Sequence, residues 1–144
     1  MNESLGEEFI EACTKGDVET VQTLAKGNCD VNHVNNDGTN GFMLACSNGH
    51  KDIVELLVTK SNCDVNHVNK NGWNGFMYAC QNDHKDIVEL LVTKSSCDVR
   101  VMNKSNKTAF DYAYERDIKL LILKVLIYLD FPIHCVRASS SIHC

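Results

Sequence analysis

Residues 29–62 recur almost unchanged 34 positions later as residues 63–96. Laid over each other, CDVNHVNNDGTNGFMLACSNGHKDIVELLVTKSN and CDVNHVNKNGWNGFMYACQNDHKDIVELLVTKSS differ at only seven positions: 36/70, 37/71, 39/73, 44/78, 47/81, 49/83 and 62/96. A period of this length marks an array of short stacked units, each burying its apolar face only against its neighbours. The 144 residues would otherwise be read as one compact domain.

Each twin unit parses in the same way. Asn36-Asp37-Gly38 signals a tight turn, with Gly38 supplying a positive φ at low cost. Asn40 is placed to cap a short helix through Phe42, Met43, Leu44, Ala45 and Cys46, and Asn48-Gly49 closes it. A second helix is expected from about His50 to Lys60, with Ile53, Val54, Leu56 and Leu57 as its buried stripe. Asp52 in its first turn and Lys60 in its last suit the helix dipole. Small residues at Ala45–Cys46 and Ala79–Cys80 let neighbouring helices approach closely. Residues 4–27 read as a divergent first unit. Ser4 is expected to cap a helix bearing Phe9, Ile10, Ala12 and Cys13, a break follows around Gly16, and Val18, Val21 and Leu24 give a second helix ending at Gly27. Its acidic outer face (Glu7, Glu8, Glu11) suits a cap on which nothing stacks.

These residues resemble the ankyrin repeat, whose pattern runs approximately D-x-x-G-x-T-P-L-H-x-A-x-x-G-H-x-x-I-V-x-L-L-x-x-G-A-D-V-N. The matching positions are Asn35, Gly38, Asn40-Gly41-Phe42-Met43, Ala45, Gly49-His50, Ile53-Val54, Leu56-Leu57 and Asp64-Val65-Asn66, then the same set one period later. The resemblance covers about residues 4–130 and implies an all-α ankyrin-repeat solenoid of stacked helix-turn-helix units with projecting β-turns. The expected divisions are 1–34, a divergent unit; 35–68 and 69–102, two repeats; 103–131, a divergent unit; and 132–144, a tail. Asn-Gly-Phe-Met replaces Thr-Pro-Leu-His, so the bonds the family's Thr and His make between units are absent, and a less stable stack than an idealised member is expected.

The fourth unit departs further. Asn106 stands where Gly belongs, and Ile122-Leu123-Lys124-Val125-Leu126 aligns with Ile87-Val88-Glu89-Leu90-Leu91 one position beyond the repeat period, implying one inserted residue. From Leu120 to Phe131 only Lys124 and Asp130 are charged. A helix apolar all round should be buried all round, yet a terminal cap should be polar outside. Two readings are open: the tail from Pro132 folds back over this helix, or the end contacts another subunit or partner.

Charge and cysteine usage exclude several classes. The net charge of −5 argues against nucleic acid as a partner. The charge is uneven, acidic over residues 1–30 and mildly basic over 94–124. No run reaches the roughly 18–20 apolar residues of a membrane span, and the start, Met-Asn-Glu-Ser, is polar. Eight cysteines in such a chain read as reduced thiols, so an intracellular setting, cytoplasm or nucleus, is expected. Cys29, Cys63 and Cys97 recur at the repeat period, one per unit, too far apart to share a metal or pair as disulfides. Packing is their expected role, as it is for Cys46 and Cys80. Cys-Asp-Val-Asn-His at 29–33 and 63–67 could suggest metal ligation, but the fourth unit has Val101 at the His position. The tail pairs His134-Cys135 and His143-Cys144 have spacing unlike zinc modules. His50 and His84 match the family's structural Gly-His. No phosphate loop, nucleophile elbow or zincin motif occurs. No catalytic residue, cofactor or metal is expected.

What remains is the disagreement between the twins. Positions 36/70, 37/71 and 39/73 fall on the projecting turn and 47/81 near the end of the inner helix, positions that the resemblance places on a ligand-contacting concave groove. Trp73, the single tryptophan, reads either as an exposed binding anchor or as a ring packed flat on an adjacent turn. Val34, Val68 and Met102 form an equivalent ladder that extends the groove floor. The expected function is recognition of an unidentified protein partner through Asn36, Asp37, Thr39, Ser47, Lys70, Asn71, Trp73, Gln81, Lys104 and Lys107. The alternatives are self-association through residues 120–131, from Leu120 to Phe131, and a thiol or metal function of the tail.

Overall fold

The computed structural model describes residues 2–60 and 62–130. Among the described residues eight helices follow one another: α1 (Asn2–Lys15), α2 (Val18–Lys26), α3 (Gly41–Asn48), α4 (Lys51–Val58), α5 (Gly75–Gln81), α6 (Lys85–Lys94), α7 (Ala109–Tyr112) and α8 (Arg116–Asp130). They pack in two rows, α1-α3-α5-α7 inside and α2-α4-α6-α8 outside, so each helix pair packs mainly on the pairs before and after it. No described helix is long and apolar enough to cross a membrane. The fold is all-α; among the described residues only an isolated bridge, Val34 to Asn40, has β character.

Local chemistry sets the boundaries. Asn40 and Asn74 are extended, and the Oδ1 of each accepts from the backbone N–H of the third residue on, Met43 and Met77, at 2.9 Å. Gly49 ends α3 in the left-handed conformation. Asp17, in the break after α1, caps α2 by accepting from Thr20 N at 3.2 Å. Ser4 is not a cap; α1 begins before it, at Asn2.

Glycine at the head of the inner helices is explained by the phenylalanine beside it. A Cβ on Gly75 would stand 2.8 Å from Phe42 Cε2, and one on Gly41 3.0 Å from Phe9 Cε2. The ring of each of the first two units thus lies on the glycine of the next; in the fourth unit Ala109 stands at that position. Phe9, Phe42 and Phe76 are all fully buried, each worth roughly 1.5–3 kcal/mol of apolar burial. Gly-Phe therefore replaces Pro-Leu as a matched pair.

The connectors carry a second tie. Asn32 Nδ2 donates to Asn62 O at 2.6 Å while its Oδ1 accepts from Asp64 N at 2.8 Å; Asn66 repeats both bonds with Ser96 O and Asp98 N. His50 Nε2 donates to Thr14 O at 3.0 Å, and His84 Nε2 to Ser47 O at 2.9 Å. Bonds between units are thus supplied by other side chains than the Thr and His of the Thr-Pro-Leu-His motif.

The fourth unit corrects the expected alignment. Its inner helix is four residues long against seven in α5. Helix α8 starts at Arg116, short of Lys119, which stands one full period after the start of α6 at Lys85. Ile118 and Ile122 take the buried places of Ile87 and Leu91, so residues are missing here, not inserted. Nor is α8 buried all round: Leu120, Leu123, Ile127, Tyr128 and Leu129 are 40–59% exposed. Phe131 and the tail 132–144 lie outside the described residues, and with them the reading that the tail folds back over α8.

Candidate partner-binding site

Each projecting turn is built on one asparagine. Asn35 Oδ1 accepts from Asp37 N and Thr39 N, Asn69 Oδ1 from Asn71 N and Trp73 N, and Asn103 Oδ1 from Ser105 N and Lys107 N, all between 2.9 and 3.1 Å. The turns are joined in a row: Lys70 N donates to Asp37 O and Lys104 N to Asn71 O, both at 3.0 Å. Gly72, at φ +80°, is required by this row, since a Cβ there would stand 2.9 Å from Asn103 Cα. Asn106 holds the same left-handed position in the last turn, at φ 60°, where no further turn is stacked among the described residues.

This row brings Asn36, Asp37, Lys70, Asn71, Lys104 and Lys107 together, all exposed, along one edge. Ser47 and Gln81, both half-buried, lie at the last turns of α3 and α5. Thr39 differs. It is 6% exposed, and its Oγ accepts from Asn69 Nδ2 at 3.2 Å, so it belongs to the scaffold and not to the face. Trp73 is half-buried between two tyrosines, with ring centroids 4.9 Å from Tyr78 and 4.4 Å from Tyr112. Both tyrosines are held by the turns: Asn69 Nδ2 donates to Tyr78 OH at 2.9 Å and Asn103 Nδ2 to Tyr112 OH at 2.8 Å. Sequence reasoning misses Tyr112, although it stands one repeat period after Tyr78, the signal that could have found it. Val34, Val68 and Met102 flank the turns with 37%, 41% and 56% exposure.

Two parallel rows of helices, left-handed turn positions and one projecting turn per unit are the geometry of the family that the motifs resemble. A family model described as ankyrin repeats (3 copies) matches residues 9–103 and again 42–134. The chain belongs to the ankyrin-repeat family. A search of curated proteins finds no match. Ankyrin repeats are generally protein–protein interaction modules, and the family is typically non-enzymatic.

In this ankyrin stack the described cysteines are free thiols set into the packing. Burial pushes Cys13 and Cys97 up to about 12 and Cys63 to about 11, and holds Cys46 well above the usual thiol range. A thiol kept neutral in this way is a poor nucleophile and a poor metal ligand. Among the described residues no group of three or more His, Cys, Asp or Glu could hold a metal ion. His67 Nε2 donates to Gly38 O at 2.7 Å, tying one turn to the next. The tail residues His134, Cys135, His143 and Cys144 lie outside the described residues.

Proposed function

We propose that this chain is a non-enzymatic binding module that holds a partner protein across the turn tips and inner helices of its ankyrin stack. The supporting observation is where the twin units differ. Lys70, Asn71, Trp73, Tyr78 and Gln81 replace their counterparts on that side, whereas the two remaining differences have scaffold explanations. Asn62 and Ser96 contribute only their carbonyl oxygens to the asparagine ladder, so their side chains are free to differ. Gly49 and Asp83 differ because only the former lies under a histidine. The contact set is Asn36, Asp37, Ser47, Lys70, Asn71, Trp73, Gln81, Lys104 and Lys107, without Thr39. The free thiols support an intracellular setting.

Capture from a cell extract tests this reading. A variant altered on the face (Asn36→Glu, Lys70→Glu, Gln81→Glu) is compared with one altered on the outer helices (Glu55→Lys, Glu89→Lys), helicity being checked for both. Proteins retained by the second and lost by the first are expected. Equal retention by both overturns the reading.

A second reading rests on α8. Leu120, Leu123 and Ile127 recur at helical spacing and are exposed; elsewhere on the same helix Lys124, Val125, Tyr128 and Leu129 line a pocket of about 500 Å³ with Val92, Ser95 and Val99. Self-association through this end is tested by sedimentation of wild type and Leu123→Lys. A wild type that stays monomeric at high concentration removes it.

A further inference from the structure

The charges on the turn row are opposite in sense to those of the chain. The protein carries a net charge of −5, yet its three turns (35–39, 69–73 and 103–107) hold Lys70, Lys104 and Lys107 against the single carboxylate Asp37. The ion pairs found among the described residues, Lys15–Glu11 and Lys85–Asp117, lie elsewhere. None of the three turn lysines has a carboxylate within 4.0 Å among those residues. The backbone bonds between successive turns set Lys70 and Lys104 on adjacent tips of one row. Beside them the Trp73–Tyr112 pair and the exposed Met102 offer apolar surface. The tyrosine hydroxyls are already bonded to Asn69 and Asn103, so the rings are held in place before any partner arrives and little order is lost on binding.

Building on the reading above, that this face binds a protein, we infer that the second and third turns, 69–73 and 103–107, receive an acidic segment of the partner carrying an aromatic side chain. Its carboxylates meet Lys70, Lys104 and Lys107, and its ring lies against Met102 and the edge of the Trp73–Tyr112 pair. Basic segments are turned away by the same three lysines, although the protein as a whole is acidic and would attract them at long range. The local patch and the net charge therefore make opposite predictions, which makes the inference testable.

The full-length chain is titrated with two labelled peptides, Gly-Asp-Asp-Phe-Asp-Asp-Gly and Gly-Lys-Lys-Phe-Lys-Lys-Gly. Anisotropy reports affinity, and emission from Trp73, the single tryptophan, reports whether the peptide sits on this face. The acidic peptide is expected to bind saturably, to shift Trp73 emission and to weaken with salt. The double variant Lys70→Glu/Lys104→Glu, with unchanged helicity, is expected to bind it about tenfold more weakly. Binding of the acidic peptide that this variant leaves intact overturns the inference. Preference for the basic peptide with a Trp73 response overturns the acidic class alone and leaves the face as a binding site. Silence from both peptides overturns the inference, while the wider reading is decided separately by the capture experiment.

Discussion

His84 lies over Gly49 so closely that a Cβ on the glycine would stand 2.7 Å from its Cε1. The histidine is held there by its bond to Ser47 O, and the pair repeats one unit earlier as His50 over Gly16. Asp83 takes the same left-handed position in the next unit, at φ 61°, where Glu115 and not a histidine precedes the outer helix that follows. Gly49→Ala should therefore lower the unfolding free energy by about 2 kcal/mol, from the positive φ and the collision together. Asp83→Gly should cost nothing, or stabilise by up to about 1 kcal/mol. Urea denaturation of the two variants checks the contrast, and equal losses would refute it.

The two helix-capping asparagines are unequal. Both are buried, and Asn74 Nδ2 donates to Asp98 O at 3.2 Å, but Asn40 Nδ2 has no hydrogen-bond partner among the described residues. Asn40→Ser keeps the capping oxygen and removes the unpaired amide, so a gain of about 1 kcal/mol is expected. Asn74→Ser gives up a bond that is made and should lose about 1 kcal/mol. Thermal unfolding of both variants reads the difference in sign.

Asn66 ties the connector of its unit to the next through two bonds, at 3.1 Å to Ser96 O and 2.6 Å from Asp98 N. Both are exposed, so Asn66→Ala should cost about 1–2 kcal/mol and not more. Hydrogen exchange at Asp98 N should quicken in the variant. Unchanged protection there would show that the bond is not formed in solution.

Trp73 and Tyr112 belong to different units, so their contact couples the third to the fourth. A double-mutant cycle of Trp73→Ala and Tyr112→Ala should return a coupling of about 1 kcal/mol. Additive losses would mean that the rings do not pack on each other. For the same reason Trp73→Ala is a poor probe of binding, since it loosens the stack it is meant to test.

The buried thiols give a pH dependence of defined sign. The unfolded chain ionises its thiols near 9, whereas burial raises the folded values to about 11 at Cys63 and about 12 at Cys13 and Cys97. Stability is complete below the unfolded value and should fall as pH rises from about 9 towards 11–12, because only the unfolded chain then gains from losing protons. In a Cys135→Ser/Cys144→Ser background, Ellman's reagent at about pH 8, below the ordinary thiol range, should react slowly with the folded protein and at once in denaturant. Rapid reaction of the folded protein would contradict the burial of these groups.

Features governed by a few neighbouring residues are legible in the sequence. The asparagine caps at 40 and 74, the glycine turns at 38 and 72 and the α3 stop at Gly49 are local signals, and the caps and turns recur in both twin copies. The repeat period then forces a stack, because a unit with one apolar side has nowhere else to bury it. Contacts between units are not legible, since they pair residues from different repeats. Nothing near Thr39 announces that Asn69 will bury it, and nothing near Trp73 announces Tyr112. The register of the fourth unit escapes sequence reasoning because matching apolar residues slide easily along a leucine-rich helix. Only packing against α6, which selects Ile118 and Ile122, decides it. The sequence by itself thus determined the units and their order. Tertiary packing decided which of the varied side chains are buried in the scaffold and which remain exposed, because burial depends on the neighbouring unit as well as on the residue's own.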